Sequence, residues 1–282
     1  MLAVLLGLLP AMSEGNSVVT VVVSCFNYGR YLEEAVGSAL AQQGGAPHVV
    51  VVDDGSTDPA THETLERLPG RVEVVRQENR GVCAARNAGL ARATTPYLLV
   101  LDADDRLRPD ALATLLPPLE RDPGLGFTYG MMQFFGDWEG VLRMPPYDAY
   151  RLLYRHTIGL SALMRAQVFG DTGGFDEAFL HFEDWELWLN ALEHGWRGRQ
   201  LDAVTVEYRK HGGSKVGADR RRYKDAYRRL RAKHAGLYRQ APRLAAESDE
   251  RRLGRLVYRG FWGPRPVPAR VEQLVYDRLW RR

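Results

Sequence analysis

The stretch Val49-Val50-Val51-Val52-Asp53-Asp54-Gly55-Ser56-Thr57-Asp58-Pro59 runs from four consecutive valines into an acidic turn. An unbroken apolar run suits a strand covered on both faces, as in a parallel sheet, rather than the alternation of a half-exposed one. Asp58 followed by Pro59 has the chemistry of a helix start, a capping carboxylate and then a residue that needs no N–H. Gly55-Ser56 is ordinary turn chemistry. These assignments explain Asp58 but leave the adjacent pair Asp53-Asp54 unaccounted for. Upstream, Val18 to Ser24 is a second such run, and between the two Leu32, Ala35, Val36, Ala39 and Leu40 recur at helical spacing. The unit is strand–helix–strand, which predicts an α/β fold with a mostly parallel central sheet. Ligands are then expected beyond the carboxyl ends of its strands.

Downstream, the apolar run Pro96 to Leu101 ends in Asp102-Ala103-Asp104-Asp105. In an extended segment Asp102 and Asp104 project the same way, and two carboxylates so close offer oxygen ligands of the kind Mg²⁺ or Mn²⁺ takes. The alternative is a polar strand end entering a helix, with Asp105 near the N-cap and Pro109 in the first turn. Val72 to Arg76 reads as a third strand. A helix through Ala84, Ala85, Arg86, Asn87, Ala88 and Leu90 follows Gln77 to Gly81. Its start near Gly81 could present backbone N–H groups to an anion, with Arg80 or Arg86 adding charge. The plainer reading of Arg86 and Asn87 is two solvated polar residues. Further on, Trp185, Trp188, Leu189 and Leu192 mark a helix with Asp184 at its start and Gly195 at its end. An Asp in that place is favoured for capping alone. The same spacing puts both tryptophans on a buried stripe.

A chain of 282 residues with 45% hydrophobic content can bury a substantial core. Cys25 and Cys83 are the only cysteines and form no CxxC pair, so no disulfide framework or zinc site is indicated, and a reducing, cytoplasmic setting fits. The apolar segment Met1 to Met12 lacks the basic leader of a signal peptide and is short of the ~20 residues needed to span a bilayer. Residues 1–16 therefore read as a disordered leader, with Met12 an alternative start and a weak membrane anchor the lesser reading. The net charge of +3 is unevenly spread: residues 219–282 hold 19 Lys and Arg against 7 Asp and Glu. Such a tail is a solvated helical face or a surface for an anionic membrane. No nucleic-acid motif accompanies it. The expected division is an α/β domain over 17–215, in two halves 17–105 and 106–215, and a basic helical extension over 216–282.

Together these motifs resemble family 2 glycosyltransferases with the Rossmann-like GT-A fold. The matching residues are Val23-Ser24-Cys25-Phe26-Asn27, Val52 to Asp58, Ala85-Arg86-Asn87-Ala88-Gly89, Leu101 to Asp105, Gly173-Gly174-Phe175-Asp176-Glu177 and Glu183-Asp184-Trp185-Glu186-Leu187-Trp188, in the family's order. Thr94-Thr95-Pro96 and Cys25-Phe26 depart from the usual pattern without touching the carboxylates. The resemblance implies an inverting, hexosyltransferase-type enzyme using a nucleoside-diphosphate sugar, most simply a UDP-sugar, to build bacterial polysaccharide, glycolipid or glycoprotein of the cell envelope. Ser24, Phe26, Asn27, Asp53, Asp54, Gly81, Arg86, Asp102 and Ala103 would then line the nucleotide-sugar site. Asp104 and Asp102, with His211 from the Tyr208 to Ser214 segment, would hold a divalent cation (Mn²⁺ or Mg²⁺). Asp184 would be the general base and Glu183 a second catalytic candidate. Localisation would be cytoplasmic, or peripheral at the inner face of the membrane. The rival readings are a sugar nucleotidyltransferase, for which Phe26-Asn27-Tyr28-Gly29-Arg30 is a poor phosphate loop, a receiver-like signalling module, and a catalytically dead sugar-nucleotide binder. The oligomeric state and the donor and acceptor sugars are not encoded in any pattern we can read.

Overall fold

The computed structural model describes residues 17–212 and 220–259. The leader 1–16, residues 213–219 and the last 23 residues of the basic extension lie outside them. The first half is β1 (Val19–Cys25), α1 (Gly29–Leu40), β2 (His48–Asp53), α2 (Pro59–Arg67), β3 (Val72–Arg76), α3 (Val82–Leu90) and β4 (Tyr97–Asp102). These four strands pair in parallel in the order β3-β2-β1-β4. The apolar runs are the strands, and β2 and β4 end at Asp53 and Asp102, as the sequence predicts. Asp58 caps α2 by accepting the Ala60 N–H, with Pro59 as its first residue.

The second half continues with β5 (Arg106–Leu107), α4 (Ala111–Arg121), β6 (Leu125–Gly136), β7 (Gly140–Leu142), α5 (Ala149–Leu152), β8 (Leu163–Arg165), α6 (Ala166–Thr172), α7 (Glu183–Glu193) and β9 (Arg197–Lys210). Here the sheet becomes mixed: β8 lies antiparallel to β4 and β6, β9 runs parallel to β6, and β5 closes the edge antiparallel to β9. The helices α8 (Arg220–Lys233), α9 (Ala235–Arg239), α10 (Ala241–Glu247) and α11 (Arg252–Val257) follow. Among the described residues no helix is long and apolar enough to cross a membrane.

Two apolar layers cover the sheet. One holds α1 and α4 against Val21, Val23, Val49, Val51, Leu99 and Leu101; the other holds Val22, Val50, Val52 and Val100 against α3, Trp185 and Trp188 of α7. The alternate valines of one strand thus serve opposite layers, which is why the runs never alternate with polar residues. Tyr227, Leu230, Leu237, Leu244 and Tyr258 join the second layer, so the described part of the basic extension packs onto the α/β sheet domain through its apolar stripe.

The glycine of the Ala85–Gly89 motif lets α3 lie close to the sheet. A methyl group on Gly89 would come within 2.3 Å of Val22 Cγ1 and 2.9 Å of Val52 Cγ2. Gly89→Ala is therefore expected to cost about 1–3 kcal/mol through overpacking. Urea unfolding should show the midpoint falling at unchanged slope, and a midpoint equal to wild type would contradict this packing.

Candidate active site

Strand β4 stops at Asp102, and a tight turn closed by the Asp105 N–H on the Asp102 carbonyl (3.1 Å) follows it. The turn, rather than strand alternation, gathers Asp102, Asp104 and Asp105, whose ligand oxygens lie within 4.8 Å of one another. Ala103 points away into the apolar layer under α1. Asp105 does not cap a helix, because β5 intervenes and Asp110 occupies the N-cap of α4. Instead Asp105 is buried and accepts the Arg209 N–H at 2.9 Å. His211, just beyond β9, places Nε2 2.9 Å from Asp104 Oδ2, its ring against those of Tyr28 and Tyr31. Burial and then the negative charges of Asp102 and Asp104 push the Asp105 carboxyl well above its ordinary range. Burial and Asp102 also raise Asp104, against the opposing contact from His211. Oxygen donors crowded until they favour protons suit a hard divalent cation.

Beside this cluster, Ser24 lies in register between Val52 and Asp102. Phe26 is 44% exposed at the rim, an open aromatic face. The other carboxylates and amides of this wall are committed to hydrogen bonds within the protein, mostly to backbone N–H groups. Asp53 Oδ1 accepts the Ser56 N–H at 3.0 Å. Asp54 is 3% exposed and accepts from Gln77 Nε2 (2.7 Å) and from the N–H groups of Arg80 and Gly81 (both 2.9 Å). The Gly81 N–H, expected to face an anion, is thus directed at Asp54. Asn27, left-handed at φ 57°, uses its amide oxygen for the N–H groups of Thr57 and Asp58 (2.8 and 2.9 Å), stapling the turn after β1 to the turn after β2. Cys25 is buried beneath, and burial pushes its thiol up to about 11.

Arg86 is 4% exposed, not solvated. One guanidinium nitrogen lies 2.8 Å from Asp102 Oδ1 and another 2.7 Å from Glu183 Oε1, with the group over the Phe175 ring. Its neighbour Asn87 exchanges two 2.8 Å hydrogen bonds with the Phe175 backbone. Helix α3 thus brings the start of α7 to the acidic cluster. Left-handed Phe182 (φ 62°) occupies the N-cap of α7, so Asp184 sits within the first turn and is not the cap. Its Oδ1 accepts the Trp185 N–H at 2.9 Å and its Oδ2 lies 2.9 Å from His156 Nε2. Burial works to raise the Asp184 carboxyl, but His156, Arg86 and the Trp185 N–H outweigh it and hold it below the ordinary range. Trp185 and Trp188 are core residues, at 0% and 1% exposure.

The sequence reading missed two residues at this site. Asp105 was hidden by its resemblance to a capping residue. His156 lies 28 positions from Asp184, in a segment with no periodicity to flag it.

The model of the family described as Glycosyl transferase family 2 matches residues 20–174. The succinoglycan biosynthesis protein ExoO of Rhizobium meliloti is 32% identical over 279 residues, covering 91% of this chain and 77% of that protein. The chain belongs to glycosyl transferase family 2. A second relative of this glycosyltransferase, the uncharacterized glycosyltransferase alr2836 of Nostoc, is 36% identical over 111 residues, a match covering 38% of this chain and only 34% of that protein's length. Among solved structures, residues 1–349 of S. aureus TarS in complex with UDP-GlcNAc superpose with a TM-score of 0.63 at 20% identity, covering 85% of this chain and 70% of that one. That likeness establishes the shared GT-A fold. The receiver-module and nucleotidyltransferase readings fall with the family assignment.

Removing the Arg86 guanidinium would leave Glu183 and Asp102 facing each other without a counter-charge. Arg86→Ala is expected to destabilise the glycosyltransferase by about 2–3 kcal/mol, less than for a fully buried triad because Asp102 is one-third exposed. Arg86→Lys, which cannot bridge both carboxylates with one planar group, should recover less than half of that. Thermal unfolding in low salt tests both, and a stable Arg86→Ala protein would refute the bridge.

Proposed function

We propose that this glycosyltransferase moves a sugar, with inversion, from a uridine diphosphate sugar to a hydroxyl of a saccharide, glycolipid or glycoprotein acceptor, in assembly of a bacterial cell-envelope polysaccharide. The observation that carries this reading is the Arg86 bridge, which joins the acidic turn to Glu183-Asp184. A charge cluster suited to a diphosphate and a carboxylate suited to proton abstraction are thereby held side by side. The relative ExoO is named for succinoglycan biosynthesis, and TarS has been solved with UDP and with UDP-GlcNAc.

Phe26 would stack on the base, with Ser24 and the Asp53 turn beside the nucleoside. Asp102 and Asp104, with His211 and now Asp105 at hand, would hold a Mg²⁺ or Mn²⁺ ion. When bound, such an ion supplies charge neutralisation for the departing diphosphate. As the bond from the anomeric carbon to the diphosphate oxygen breaks, the acceptor oxygen bonds to the opposite face of that carbon and its proton passes to Asp184. A single displacement inverts the anomeric centre. Glu183, paired with Arg86, positions the first turn of α7 rather than accepting the proton.

Two variants separate donor binding from chemistry. UDP is expected to bind far more tightly with Mn²⁺ or Mg²⁺ than in EDTA, and Asp104→Asn should erase that difference in a calorimetric titration. Asp184→Asn should keep metal-dependent UDP binding and lose transfer by about 10²-fold or more. Equal UDP affinity in EDTA would remove the cation from the mechanism. Near-normal transfer by Asp184→Asn would remove the base.

A further inference from the structure

Asp184 faces a partner that the family motif does not contain. His156 enters from the segment between α5 and β8, and its Nε2 lies 2.9 Å from Asp184 Oδ2. Its imidazole stacks on Trp185 at 6.1 Å and 17°, with the Phe182 ring edge-on at 6.0 Å. The contact with Asp184 is an ion pair rather than an aligned hydrogen bond, and the backbone of Ile158 acts on the ring in the same sense, favouring the protonated form. A ring set within ion-pair distance of a carboxylate and beside a backbone acceptor is favoured as the doubly protonated imidazolium. The other charged groups facing the pair are Glu183 and Arg86, themselves joined to each other.

We propose that His156 is a positioning residue for the general base: a fixed cationic counter-ion that keeps the Asp184 carboxylate ionised and turned towards the acceptor hydroxyl. This rests on the reading of Asp184 as the base. With Oδ1 on the Trp185 N–H and Oδ2 on His156, the carboxylate plane is set at two points before an acceptor arrives. Burial opposes charge on both partners, yet the pair outweighs it, raising His156 and lowering Asp184. Loss of the cation therefore raises the proton affinity of Asp184, and the base is lost at the acid end of the working range first.

The test is the pH profile of kcat/KM for sugar transfer, measured with saturating Mn²⁺. His156→Gln keeps a donor and removes the charge. Its acid limb is expected to move up by about one pH unit, so that activity below that limb falls about tenfold while UDP affinity changes less than twofold. An unchanged acid limb in His156→Gln, with Asp184→Asn inactive, overturns the positioning role and leaves the base intact. An active Asp184→Asn overturns both. A purely structural His156 would lower activity equally at every pH. Should His156→Gln fail to fold, the reciprocal measurement decides. The ring NMR signals of His156 should titrate above about 6.5 in the wild type and at least one unit lower in Asp184→Asn. Equal titration in the two proteins refutes the pair.

Discussion

One buried guanidinium holds this site together. Arg86 is carried by a helix of small residues pressed against β1 and β2, and it reaches Asp102 at the end of β4 and Glu183 at the start of α7. The first residue belongs to the parallel half of the sheet and the second to the half that follows it, so the ion triad is also the seam between them. A guanidinium suits this place because its planar fork serves two carboxylates at once and it stays charged when buried. Burying three charges is not a cheap way to gain stability. It does specify geometry, since only one arrangement of α3, β4 and α7 pairs them all.

The start of α7 is held from the other side by aromatic rings. Trp185 stacks with His156 and with Tyr223 and Tyr227 of α8, and it donates its indole N–H to the Leu152 carbonyl at 2.7 Å. Further along, the fully buried Glu186 meets Lys233 and His234, while the other nitrogen of His234 reaches Glu193. The helices beyond residue 220 thus fix α7 through a few rings and a buried polar cluster, and Arg228 and Arg229 stay exposed. A segment whose composition suggests a membrane or polyanion surface contributes to the site through the side that composition conceals. Its charge excess is what remains once the aromatic stripe has been used.

Elements were legible in the sequence wherever one physical signal dominated. The valine runs, the Asp58-Pro59 cap and the spacing of Trp185, Trp188 and Leu192 each have one structural explanation, and the structure realises all of them. Site roles were legible only in part, because a carboxylate in a turn has two uses that look alike in sequence. Asp53 ends a buried strand and Asp54 follows it, yet Asp54 spends itself on three donors of the Gln77 to Gly81 loop while Asp53 takes one. Gly55 contributes to that outcome: its positive φ (71°) and missing side chain let the Asn79 backbone approach where a methyl group would lie 2.6 Å from its nitrogen. His156 was illegible for a different reason. Its meaning comes from a contact made only after α7 and β8 have packed, and no local pattern carries that information.

The acidic turn shows why such a site has to be supported from outside. Asp104 has His211, Asp105 has the Arg209 N–H and Asp102 has Arg86, yet Asp104 and Asp105 still hold protons more tightly than exposed carboxyls do. Burial and mutual repulsion therefore exceed what the protein's own donors return, and the turn is short of positive charge. A turn in that condition weakens the fold around it, and it persists because β4, β9 and α3 are anchored independently by strand pairing and apolar packing. The missing positive charge is what a bound divalent cation would supply, whereas a diphosphate arriving alone would add to the repulsion. On this argument the scaffold's rigidity and the turn's electrostatic deficit are linked: the anchored sheet tolerates the repulsion, and the repulsion leaves the turn suited to a hard cation.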